Sequence, residues 1–258
     1  MTAAPHAAYL AALDRAAGRS AALLVDSGVA SAGLPRLREL LAERYTRAGL
    51  ATRPEQILVT SGAQSALTLL TDQLHTDRGA PVLIESPTYP GALSVLRHRR
   101  ARLLPVQILW SGLRVGWIRA TAEVVRALRR NPLQAQLSPL PLEQLIAAEL
   151  LGEGLDEILV DRRTRLRAQR DHLASLLADS GWTYTVPEGG LSLWIRLDDP
   201  TTAAELERRA AAQGLVVTPG PLFASDRTTL SRHLRLPFTA TQETLTRAVD
   251  ILRRLEPR

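Results

Sequence analysis

The chain has 258 residues, 45% of them hydrophobic, enough to close a sizeable core in one large or two small domains. It holds no cysteine, which excludes disulfides and thiolate metal sites. It has no apolar run of membrane-spanning length and no charged-then-apolar leader, so the cytoplasm is the expected compartment. The net charge is +6 and every one of the 32 basic residues is arginine; they interleave with Glu and Asp on predicted helix faces and read as solvated surface, not as a nucleic-acid footprint.

Residues 1–30 are alanine-rich, with a short helix predicted over 7–17. Gly33-Leu-Pro-Arg-Leu37 opens the next helix, with Pro35 in its first turn. Leu37, Leu40, Leu41, Tyr45 and Ala48 form its apolar stripe, and Gly49 suits the C-terminal cap. Ile57 to Val59 reads as a buried strand, Thr60-Ser61-Gly62 as a tight turn, and the following residues as a helix with Leu67, Leu70 and Leu74 on one face. A strand, a Ser-Gly turn and a helix N-terminus make an anion cradle, because first-turn N–H groups and the helix dipole both favour negative charge. Many such turns hold no ligand.

A short strand is expected at 81–84, before Glu85-Ser-Pro-Thr-Tyr-Pro-Gly91, where Pro87 and Pro90 hold Tyr89 in a rigid loop. A helix over 91–100 and strands over 101–106 and 115–119 follow. Three prolines between 131 and 142 mark a bend before a helix that ends at Gly152. Residues 155–178 are expected to form a long helix with five arginines between 162 and 170, which read as its wet face or, alternatively, as a site for acidic partners. The remainder reads as α+β: strands over 182–186 and 191–197 around the turn Pro187-Glu-Gly-Gly190, a helix over 201–213, strands over 215–220 and 233–238, and a closing helix over 241–255. Alternation puts Arg235 opposite Leu234 and Leu236. The five histidines show no metal-ligand spacing.

Four segments occur in one order: Ile57-Leu-Val-Thr-Ser-Gly-Ala-Gln64, Glu85 to Gly91, Trp110-Ser-Gly-Leu-Arg-Val-Gly-Trp-Ile118 and His233-Leu-Arg-Leu-Pro-Phe-Thr239. In that order they resemble the fold-type I, pyridoxal phosphate (PLP)-dependent aminotransferases, and most of all the aminotransferase-like domain of MocR-type GntR regulators, from about Gly33 to Leu255. The resemblance implies an α/β fold: a truncated α/β/α large domain over 31–150, after an N-terminal segment 1–30, and a linking helix with a small α+β domain over 151–258. It also implies roles. Ser61, Gly62, Ala63 and Gln64 cradle the PLP phosphate, Tyr89 stacks on the pyridine ring, Arg114 contacts the phosphate and Arg235 takes a substrate carboxylate. Guanidinium suits both anions through paired hydrogen bonds. Tyr89, Arg114 and Arg235 also read simply as a loop tyrosine, a surface arginine and an edge-strand arginine.

The sequence then departs from the pattern. After Val106 the further βα units of intact relatives are missing, with their Asn-Pro motif, their Asp for the pyridine nitrogen and their Schiff-base lysine; Gln107 falls where the lysine is expected. Arginine cannot replace it, since an imine needs an amine that loses its proton. Strands from Ile57, Val82, Leu103 and Val115 should remain of the large sheet. The resemblance therefore implies an aminotransferase-like protein without a catalytic residue or transaminase turnover, holding PLP noncovalently at most. The expected partners are an amino acid or other small carboxylate and a second subunit, identical or an intact homologue, with no nucleic acid and no membrane. The alternatives are a MocR-type ligand-binding module without its winged-helix domain, for which the N-terminal stretch is too short, and a non-functional remnant.

Overall fold

The computed structural model describes residues 3–20, 31–74, 81–85, 88–98, 102–106, 116–134, 140–152, 155–226 and 229–255. The chain forms two compact units, one of residues 1–80, 94–102 and 111–159, the other of residues 81–93, 103–110 and 160–258. Among the described residues no helix is long and apolar enough to cross a membrane.

The first unit is built around strand β1 (Ile57–Thr60), buried at all four positions. β1 pairs antiparallel with β4 (Gly116–Arg119), with Ile57 opposite Arg119 and Thr60 opposite Gly116. Its continuous apolar run is used on both faces. Leu58 and Ile118 pack with Ala66 and Leu69 of α3 (Ala63–Gln73) and with Val125 and Leu128 of α5 (Ala122–Arg130). Ile57 and Val59 pack with Leu37, Leu40 and Leu41 of α2 (Pro35–Arg47) and Ala148 of α6 (Pro141–Gly152).

The segment before α2 lies along the other side of β1. The Val59 N–H donates to the Ala32 carbonyl (2.9 Å), and the Leu34 N–H to Gln144 Oε1 (2.6 Å). Gly33, between these bonds, has φ +98°.

Helix α1 (Ala3–Ser20) packs on α6 through Ala12, Ala16 and Ile146. The side chain of Glu149, 8% exposed, accepts from Arg15 Nε (2.8 Å) and Arg19 Nη1 (2.6 Å). Both arginines keep part of their surface in water, so removing the carboxylate leaves them hydrated but unties the helix. Glu149→Ala is expected to cost about 2 kcal/mol. Limited proteolysis should show faster cleavage within α1 while the β1 amides keep their exchange protection. Unchanged cleavage would mean that the small apolar contact alone holds α1.

Three readings of the sequence are corrected. The buried face of α3 is Ala66, Leu69 and Thr71, whereas Leu74 is 70% exposed. With leucine at 67, 69, 70 and 74 the pattern admits two phases, and the turn out of β1 selects the one facing Leu58 and Ile118. The four strands expected to remain of the large sheet form two pairs among the described residues, β1 with β4 and β2 (Pro81–Glu85) with β3 (Arg102–Val106). The strand expected over 215–220 shrinks to β7 (Thr218–Pro219), with Val216 85% exposed. Helix α5, which is not among the elements expected from the sequence, is capped by Thr121, whose side chain accepts from the Val124 N–H.

In the second unit, β5 (Trp182–Thr185), β6 (Ser192–Leu197), β8 (His233–Pro237) and β7 form an antiparallel sheet in the order β5-β6-β8-β7. Leu193, Ile195, Leu197, Leu234 and Leu236 face α7 (Leu155–Leu177), α8 (Ala203–Ala211) and α9 (Gln242–Leu255) across one core. The alternate residues, Ser192, Trp194, Arg196, His233 and Arg235, share the opposite face. On α7, Arg162, Arg163 and Arg167 are exposed and Arg165 and Arg170 half-buried.

Candidate functional site

The turn from β1 to α3 is fixed by its own backbone. Gly62 has φ +85°, a conformation that glycine adopts without steric cost. Its N–H donates to the Thr60 carbonyl (2.8 Å), and its carbonyl accepts from the Ala66 N–H (3.2 Å). Thr60 Oγ1, wholly buried, donates to the same carbonyl (3.2 Å), and Ser65 Oγ donates to the Ser61 carbonyl (3.0 Å). Among the described residues no side chain caps α3: the residue at the cap is Gly62 itself. The helix thus starts at Ala63, where the first-turn N–H groups and the positive end of the helix dipole favour an anion.

The partner strand makes this turn possible. A Cβ on Gly116 would stand 2.5 Å from the Gly62 carbonyl carbon and 2.9 Å from the Ala63 nitrogen. Only a bare Cα at position 116 lets β4 run this close under the cradle. Gly116 lies in the segment Trp110 to Ile118, and its signal in the sequence is a glycine two residues after Arg114 at the start of a strand. Arg114 and Gln107 lie outside the described residues.

Tyr89 and Arg235 belong to the second unit. Tyr89, 40% exposed, precedes α4 (Pro90–His98), and its carbonyl accepts from the Ala92 N–H (2.9 Å). Arg235 does not lie on a sheet edge: β8 is flanked by β6 and β7, with Trp194 opposite Arg235 on one side and Thr218 on the other. Its guanidinium lies 5.6 Å from the centre of the Phe223 ring. Burial pushes it below its ordinary pKa, so its charge is held at a cost that an anion would offset. Among the described residues no carboxylate pairs with it. On the same face the buried Ser192 Oγ and His233 Nδ1 have no hydrogen-bond partner among the described residues. Burial, then the charges of Arg196 and Arg232, hold His233 below its ordinary value, which favours the neutral ring.

A groove of about 450 Å3 on α2, lined by Glu39, Glu43, Arg47 and Thr52 among others, contains none of these residues.

The profile of the family "Aminotransferase class I and II" matches residues 4–111 and 108–252, two segments that overlap at 108–111, shortly after the break at Val106. The chain is 24% identical over 292 aligned positions to 2-aminoadipate transaminase of Thermus thermophilus, covering 75% of this chain and 72% of that protein. An alignment longer than the 258 residues requires interior residues in the relative that this chain lacks. It is 32% identical over 125 residues to the uncharacterized HTH-type transcriptional regulator YdcR of Escherichia coli, covering 45% of this chain and 26% of that protein; several other curated relatives are likewise matched over only about a quarter to a third of their length. The fold superposes on LysN, the alpha-aminoadipate aminotransferase of Thermus thermophilus, with a TM-score of 0.78 at 22% identity, covering 93% of this chain and 87% of that one. Profile, relatives and fold agree: the chain belongs to the aminotransferase class I and II family and has the fold of type I PLP-dependent transferases.

Proposed function

We propose that this protein binds a PLP-type ligand noncovalently and performs no transaminase turnover. The observation that carries the reading is the Gly62 turn into α3, which no side chain caps among the described residues and which β4 approaches closely through the missing side chain at Gly116. That cradle suits the phosphate of PLP through backbone N–H groups and the helix dipole. In the second unit Tyr89 offers a ring for stacking and Arg235 a half-buried guanidinium for a carboxylate. The covalent half of the chemistry does not fit, since 258 residues contain no lysine. Bound PLP supplies an electron-withdrawing ring, and a lysine supplies the amine that attaches it and moves the proton. What these residues can do is bind and orient.

The similarity to HTH-type regulators supports a sensing role, in which the domain reports ligand to another part of the same protein or to a partner. A cytoplasmic dimer, with itself or with an intact homologue, belongs to the same proposal.

A PLP titration of the folded chain tests it. We expect saturable binding with the absorbance of the unreacted aldehyde, no adduct fixed by borohydride, and no amino-acid-dependent conversion of the cofactor. Many turnovers to the aminated cofactor would overturn the inactive reading. A folded protein that binds no PLP would overturn the cofactor reading.

A further inference from the structure

Phe223 ends the segment Gly220-Pro-Leu-Phe223, a 3-10 turn directly after β7. The turn is locked at its start: a Cβ on Gly220 would meet the Leu230 carbonyl oxygen at 2.6 Å and that of His233 at 2.8 Å. It is locked at its end by Phe223, a residue 9% exposed, whose ring meets Trp194 edge to face, with centres 5.2 Å apart and planes at 84°. Arg235 then lies over that ring at 5.6 Å. The Phe223 carbonyl accepts from the Thr88 N–H (2.8 Å), the residue before Tyr89. One residue therefore touches the guanidinium, the sheet face and the tyrosine-bearing segment.

We propose that Phe223 is a positioning residue that aims the Arg235 guanidinium at a ligand carboxylate and ties its orientation to the Tyr89 segment. The inference rests on the carboxylate reading of Arg235. Four rotatable bonds make arginine costly to order, and a desolvated cation on an aromatic face loses that freedom before the ligand arrives. A guanidinium held against the face of an aromatic ring keeps paired donors in its own plane, which suit two carboxylate oxygens. An aliphatic side chain of similar bulk would fill the same space but would neither attract nor orient the cation.

The test follows the Arg235 Nε–Hε resonance of the full chain by NMR, with maleate as the carboxylate probe. In the unaltered protein the proton should be shifted upfield by the ring current and should respond saturably to maleate. Phe223→Leu and Phe223→Met remove the ring and keep apolar bulk; each should move the resonance to its ordinary position and weaken maleate binding about fivefold. Phe223→Tyr should preserve both features. The Thr88 amide should exchange more slowly with maleate bound in the unaltered protein and in Phe223→Tyr, but not in Phe223→Leu. Equal maleate affinity in all folded variants would overturn the positioning role. PLP binding, titrated on the same samples, reports separately on the cradle: its loss with the maleate response intact would sink the cofactor reading and leave Phe223 in its role.

Discussion

Gly33→Ala is expected to lower the stability of the first unit by about 3 kcal/mol or more, a large part of the 5–15 kcal/mol that ordinarily holds a domain together. Two effects add. At φ +98° any L side chain is strained, by about 1–2 kcal/mol. A Cβ would also sit 2.3 Å from Val59 Cγ2 and 3.0 Å from Gln144 Oε1. Val59 is wholly buried and belongs to the central strand, and Gln144 holds the Leu34 N–H, so neither can retreat without breaking packing or a bond. Gly49 supplies the control. Its φ of +88° is nearly the same, but nothing lies within 4 Å of a Cβ built there. Gly49→Ala should therefore cost only the backbone strain, about 1 kcal/mol. Denaturant unfolding of the two variants separates strain from collision. Equal losses would mean that the 31–34 segment moves aside freely and does not brace β1.

The same comparison shows what the sequence could and could not reveal. Ile57 to Val59 was legible as a buried strand because an unbroken apolar run needs cover on both faces, and the structure covers both. The phase of α3 was not legible, because four leucines in eight residues leave two faces equally apolar. The order of β8 within its sheet was not legible either. Alternation gives a residue its face, but pairing partners are long-range, and Arg235 proves to be flanked on both sides. Close approaches are the least visible of all. Gly33 and Gly116 look like loop and motif glycines in the sequence, and only the distances to Val59 and Gly62 show why neither can carry a Cβ. The missing lysine, by contrast, is a fact of composition and needs no structure.

Gly116→Ala is expected to reduce PLP affinity at least tenfold while costing about 1–3 kcal/mol of stability, as overpacking does. The added methyl would meet backbone, not a flexible side chain: the Gly62 carbonyl carbon at 2.5 Å, its Cα at 2.9 Å and the Ala63 nitrogen at 2.9 Å. The collision can be relieved only if β4 shifts away from Thr60 or if the turn swings off the end of α3. Four-residue pairing with β1, at the register Thr60 to Gly116, resists the first. The turn therefore takes the strain, and its displacement redirects the first N–H groups of α3 that would meet the phosphate. Gly189→Ala, where a Cβ has nothing within 4 Å, controls for the substitution itself and should leave binding unchanged. The decisive quantity is the rise in melting temperature caused by PLP in each variant, since ligand stabilisation reports affinity separately from the starting stability. If Gly116→Ala melts earlier but gains as much from PLP as the unaltered chain, the anion is bound elsewhere and the Gly62 turn is inherited architecture only. If it loses that gain and Gly189→Ala keeps it, the bare Cα under the turn is what keeps the cradle open.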